Sequence, residues 1–135
     1  MDVLMTSTNV TTDELGTCTT SVDVRVQQRD TGGSLGDTWC ARSWANGRCD
    51  RFRVRVDTGT IAAYATNVNF EIRHTICHEI GHTVGLWHYG HGDPYTVSAD
   101  SGGGNNCMRS GVWDSGASWT RVYGVHDIAA INSNW

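Results

Sequence analysis

The chain has 135 residues, a mass of 14.8 kDa and a formal net charge of −4. All ten basic residues are Arg, and an acidic sequence pI near 5.8 leaves no basic footprint for nucleic acid. No apolar run approaches the ~20 residues that span a bilayer, so neither nucleic acid nor membrane is expected as a partner. Six Trp, four Tyr and 39% hydrophobic residues fit one globular domain over residues 1–135, expected to be a monomer.

Residues 2–10 read as a short strand. This N-terminus lacks a basic stretch and is not a signal peptide. Five cysteines nevertheless point to an oxidising compartment, so the expectation is a secreted protein whose leader lies outside this chain. Leaving one cysteine unpaired allows ~15 pairings of the others. Residues 21–27 alternate strictly, which predicts a half-buried strand with Val22, Val24 and Val26 inward. Residues 51–57 alternate likewise, with Phe52, Val54 and Val56 inward. Between them a Gly-rich stretch, residues 31–50, carries Cys40 and Cys49.

From about Asn69 to Val84 the period changes. Ile72, Ile76, Ile80 and Val84 recur every fourth residue, which predicts a helix capped by Asn67 or Asn69 and stopped at Gly85. No amphipathic helix is evident before it. Residues 89–106, with Pro94 and several glycines, read as a loop. A last helix is predicted over about His126 to Ser133, with Val125, Ile128, Ala129 and Ile131 inward.

Residues 78–88 read HEIGHTVGLWH. His78 and His82 stand ~40° apart on a helix, so both imidazoles can reach one ion. Glu79 can stand beside that ion without binding it. Gly85 lets the chain turn and bring His88 back. Three neutral imidazoles with a fourth position open is the arrangement of catalytic zinc. His74 lies one turn earlier and is expected on the helix surface. Asp93, Asp100 and Asn105 could hold calcium, although a solvated loop is the better reading.

The full HExxHxxGxxH string resembles the metzincin clan of zinc endopeptidases. Met108, 20 residues after His88 within NCMRSG, matches the position of that clan's Met-turn, and the tail from Tyr123 to Asn132 resembles its C-terminal helix. In size the chain is closest to small secreted snapalysin-like proteases, although those carry Asp where His88 stands. The resemblance implies an α+β, zincin-like domain: a twisted mixed sheet, an active-site helix and a C-terminal helix. Metzincin domains open with a strand and a long helix, so either residues 1–20 replace these or they lie outside this chain.

The resemblance further implies one catalytic zinc on His78, His82 and His88, with Glu79 as general base and Met108 as an apolar floor beneath the rings. The substrate would be a protein or peptide, bound along an edge near Asp37–Arg42. Trp113, Trp119 and Tyr123 would wall a pocket, and Tyr123 could assist at the oxyanion. Clan packing would bring Cys77 near Cys107; with Cys40 pairing Cys49, Cys18 is left over. Two other functions compete: a non-cleaving zinc-binding module, and a hydrolase of a non-protein amide such as a cell-wall linkage.

Overall fold

The computed structural model describes residues 2–13, 22–88 and 105–135. The elements run α1 (Asp2–Ser7), β1 (Val24–Gln28), β2 (Gly36–Ser43), β3 (Cys49–Val56), α2 (Thr58–Tyr64), α3 (Val68–Thr83), a 3-10 turn (Ser118–Arg121) and α4 (Val125–Asn134). The fold is α+β. A mixed sheet has the order β1-β3-β2, with β1 parallel and β2 antiparallel to β3. Helix α3 packs on β2 and β3.

Residues 2–7 are a helix, not a strand. The Thr8 amide donates to the Leu4 carbonyl at 3.0 Å, four residues back, and Leu4 is buried in the core shared with α3 and α4. The Asn9 amide donates to the Asn132 side chain, which ties this end to α4. Helix α2 was not evident in the sequence, because it buries Ile61 alone. Its signal is Asp57, whose carboxylate accepts from the Thr60 amide as an N-cap.

Strand β3 places Val54 and Val56 inward as its alternation predicts. Strand β1 does not follow its own pattern. Register puts Val24 beside Phe52 and Val26 beside Val54, yet Val24 is 36% and Val26 39% exposed. These valines share the helix-covered face of the sheet but sit on its outer strand, whereas α3 lies over the other two.

Helix α3 starts at the N-cap Asn67, whose side chain accepts from the Phe70 amide. It ends in a Schellman arrangement: the Leu86 amide reaches the Gly81 carbonyl and the Gly85 amide reaches the His82 carbonyl. Gly85 has φ +92°, a left-handed conformation that favours glycine. The helix buries more than its isoleucine stripe. Glu71, His74, Thr75, His78 and Glu79 are buried, while Ile72 and Ile76 are only partly so. His74 is 2% exposed, contrary to the surface position expected for it.

In α4 the buried residues are Asp127, Ala130 and Ile131. Val125 and Ala129 face solvent instead of the core, because Ala130 and Ile131 take the inward positions. The Gly124 amide donates to the Asp127 carboxylate at 2.9 Å, closing the helix start.

Candidate active site

Helix α3 and the turn after it carry the three histidines. Because i and i+4 side chains share a helix face, His78 and His82 lie side by side, and their Nε2 atoms are 3.2 Å apart. The Schellman turn then reverses the chain and brings His88 in. Ring centroids are 4.8 Å apart for His78–His82, 5.0 Å for His78–His88 and 4.9 Å for His82–His88, a nearly equilateral triangle. One ligand atom from each residue lies within 4.8 Å of the others.

The donor chemistry fits a metal. His78 Nδ1 donates to the Cys107 carbonyl at 3.0 Å, and His82 Nδ1 donates to the Leu86 carbonyl at 2.7 Å. These bonds place the proton on Nδ1 and leave the Nε2 lone pairs free to bind. The 3.2 Å spacing of those two atoms matches the ~3.3 Å between nitrogens of a tetrahedral zinc site with ~2.05 Å bonds. Burial favours the neutral rings. It pushes the His78 pKa down to about 3, helped by its neighbouring imidazoles and opposed by the Cys107 carbonyl. Burial lowers the His82 pKa as well, against the Leu86 carbonyl.

Glu79 is buried beside the first histidine. Burial raises its pKa to about 7, while the hydrogen bond from Thr38 pulls it back down. The Thr38 hydroxyl stands 2.7 Å from Glu79 Oε2 and 3.0 Å from the Glu79 carbonyl. Strand β2 therefore runs directly past this carboxylate. Among the described strands β2 is an edge, and it contains Asp37–Arg42.

Met108 is fully buried under α3. Its amide donates to the Asn106 side chain at 2.8 Å, and the Cys107 amide pairs with the Val122 carbonyl. A Cβ added at Gly81 would stand 2.3 Å from Met108 Sδ, so the turn reaches this close only because residue 81 has no side chain. Disulfides join Cys40 to Cys49 and Cys77 to Cys107. The second ties the helix to the methionine turn at the residues directly preceding His78 and Met108. Cys18 lies outside the described residues.

A cavity of about 330 Å³ adjoins the triad, lined by Gly33–Gly36, by Glu71, His74, Thr75, His78, Glu79 and His88, and by Arg109–Gly111. Trp113, Trp119 and Tyr123 are not among its lining residues. Trp113 and Trp119 meet edge to face at 5.2 Å, with the Arg109 guanidinium 4.3 Å over Trp113. Tyr123 is buried, and its hydroxyl donates to the Cys77 carbonyl at 2.9 Å, which takes it away from an oxyanion role. Sequence reading singled out neither Thr38 nor Glu71, and it placed the buried His74 on the helix surface. The spacing of Glu71, His74 and His78 along one helix face was the available signal. Asp93 and Asp100 of the calcium reading lie outside the described residues, and Asn105 accepts a hydrogen bond from Arg109.

No curated protein and no solved structure matched the chain. The family model for metallo-peptidase family M12B, reprolysin-like, matches residues 6–132. The size likeness to the snapalysin group did not identify this family within the clan. With nearly the whole length matched, and the three imidazoles meeting as the motif requires, the chain belongs to the reprolysin-like M12B metallopeptidases of the metzincin clan.

Proposed function

We propose that this protein is a secreted zinc endopeptidase that uses Glu79 as its general base. The observation that carries the reading is the convergence of His78, His82 and His88 with a buried carboxylate beside them. Those three residues would hold the ion, with Met108 packed beneath the helix that bears two of them. A bound zinc ion supplies Lewis acidity, polarising the scissile carbonyl and acidifying a water molecule.

Glu79 accepts the proton of that water and delivers it to the leaving amine. A carboxylate beside the ion can take up a proton and release it again, which suits both halves of this exchange. Thr38 fixes the carboxylate's orientation through its hydroxyl. The edge that β2 forms among the described strands offers backbone donors and acceptors to an extended peptide, which would lie across the triad as an added strand. Two disulfides fit an oxidising, extracellular setting.

The test combines metal content with hydrolysis of casein and of peptidoglycan. One zinc per chain, casein cleavage stopped by a chelator, and a ~10²–10⁴-fold loss in Glu79→Gln with zinc retained are the expected results. Zinc binding without any hydrolysis would instead make this a binding module. Cleavage of peptidoglycan alone would move it to cell-wall amides.

A further inference from the structure

The acidic pI of the whole chain hides an uneven distribution of charge. Residues 22–57 hold seven of the ten arginines but five of the 14 acidic residues, so the sheet region is net positive and the rest of the chain is acidic. Alternation sorts these arginines by face. Val54 and Val56 pack in the cluster with Ile72 and Ile76 of α3, so Arg51, Arg53 and Arg55 turn to the opposite face of the central strand. The ladders add neighbours on that face. Arg25 of β1 and Trp39 of β2 are the register partners of Arg53 on its two sides, and Arg42 is the partner of Arg51.

Like charges placed opposite one another across a ladder repel. Two carboxylates answer part of this repulsion. Asp37 is taken by Arg55, whose Nε donates to it at 2.8 Å. Asp50 pairs with Arg42 and lies 3.9 Å from Arg51 Nε, so one carboxylate serves two guanidiniums. Arg53 has no carboxylate partner among the described residues, and its hydrogen bond goes to the adjacent Phe52 carbonyl. The middle of the face therefore keeps an uncompensated guanidinium. Beside it the Arg55 guanidinium lies 5.0 Å over the ring of Trp39, which is 43% exposed, so an aromatic rim borders the charge on the β2 side.

We propose that this arginine face of the sheet docks an extended polypeptide segment carrying carboxylates at alternate positions. The excess positive charge calls for an anion. Every basic group on the face is an arginine, whose planar fork meets a carboxylate in two parallel bonds and gives up water more readily than an ammonium. Spacing then selects a polypeptide among anions. Arg51, Arg53 and Arg55 recur every second residue, ~6.4–6.8 Å apart, and an extended chain shows its alternate side chains on one side with the same repeat. Such a segment sets successive carboxylates over the row, with Arg53 as the anchor. Thr38 meets Glu79 from the helix-covered face, and its neighbour Trp39 points the other way, so this surface lies across the sheet from the triad. It is a second site, and its occupancy does not depend on the peptidase reading.

The test is fluorescence anisotropy of labelled peptides of about ten residues, a strand's length, with the zinc-loaded full chain carrying Glu79→Gln so that cleavage does not intrude. An alternating Glu-Thr repeat should bind about tenfold more tightly than a Gln-Thr repeat, and more tightly than a peptide of the same composition with its glutamates in one block. Its binding should weaken about tenfold as salt rises from about 0.03 M to about 0.3 M. Arg51→Gln/Arg53→Gln should cost about tenfold, whereas Arg73→Gln, exposed on α3, should leave binding unchanged. Equal binding of the Glu-Thr and Gln-Thr repeats, no salt dependence, equal binding of the blocked peptide, or equal loss in Arg73→Gln overturns the proposal. Binding of polygalacturonate or of anionic vesicles in place of the Glu-Thr repeat overturns the polypeptide as occupant. If the double variant does not fold, Arg53→Gln alone and the parent's ratios decide. Loss of the peptidase reading would leave these measurements standing, and their failure would leave the peptidase reading untouched.

Discussion

The half of the molecule built on α3 and the methionine turn differs from the sheet in how it is held. Around α3 the restraints are redundant: a disulfide, imidazole bonds to two backbone carbonyls, a side-chain-free position against Met108, and a tyrosine hydroxyl on the Cys77 carbonyl. In the sheet, β1 rests on its ladder to β3 and leaves two valines more than a third exposed. The region that must hold three rings within fractions of an ångström is over-determined. Strand β1, at the edge of the sheet that α3 does not cover, is not.

Removing each disulfide measures that difference. Cys77–Cys107 spans 30 residues and Cys40–Cys49 spans 9. Chain entropy assigns about 3.6 kcal/mol to the longer loop and about 2.6 kcal/mol to the shorter. The double variant Cys77→Ser/Cys107→Ser should therefore lose more stability in urea than Cys40→Ser/Cys49→Ser. It should also weaken zinc retention, which the sheet variant should leave intact. Equal effects on metal retention would show that the helix and the methionine turn are held together by packing alone. Gly81→Ala comes next, at about 1–3 kcal/mol, because its methyl enters the space of Met108 Sδ and Tyr123. Denaturant midpoints for this variant alone and with Met108→Ala decide whether the clash is the cause. Measured against Met108→Ala alone, Gly81→Ala should then cost less than it does in the parent.

The same contrast explains what the sequence made legible. The metal ligands were readable because i, i+4 spacing and a glycine turn leave few ways to join three histidines. The end of α3 was readable for the same local reason at Gly85. The burial of Glu71 and His74 was not, because it depends on contacts with segments far away in sequence, such as the Trp113 amide. Alternation predicted β3 correctly and misjudged β1. Period two shows which side chains share a face, but whether a helix covers that face depends on the strand's place in the sheet. The helix at residues 2–7 was misread because its buried anchor Leu4 gains its worth from docking on the core.

The titrating groups separate the regions along another axis. In the metal-free chain, burial near α3 shifts groups in opposing directions. His78, lowered to about 3, makes folding stability fall as pH drops from 6.5 towards 3. Glu79, raised to about 7, and Asp127, raised to about 6, do the reverse. Their contribution is complete below the ordinary carboxylate values and is lost as pH rises through the folded ones. Between pH 4.5 and 6 the two carboxylates oppose His78 together with His82, whose pKa burial also lowers, and the slopes largely cancel. At the end of the sheet Asp57 is lowered to about 2 by hydrogen bonds from the Thr60 and Thr31 amides, so its contribution is lost only as pH falls below 3.8. Stability of the chelator-treated protein should be nearly flat from pH 4.5 to 6 and fall below 3.8, where His78 and Asp57 act in the same direction. A steady decline from pH 6.5 downward, measured as the denaturant midpoint, would mean that Glu79 and Asp127 do not offset the histidine.

The smallest expected effect tests the sheet directly. Val26 and Val54 are register partners on one face, and they differ in cover: Val54 is fully buried and Val26 is 39% exposed. Threonine keeps the branched shape that strands favour and adds a hydroxyl. At Val26 that hydroxyl meets water, so Val26→Thr, like Val24→Thr, should stay within ~0.5 kcal/mol of the parent. At Val54 the same hydroxyl enters a closed apolar cluster, so Val54→Thr should cost about 1–3 kcal/mol. Because both substitutions alter paired strands at the same level of the sheet, local strand preference cancels in the comparison and cover alone remains. Equal costs in urea would place Val26 in an environment as dry as that of Val54. The sheet would then be covered across all three strands, and the looseness that sets it apart from the α3 half would be gone.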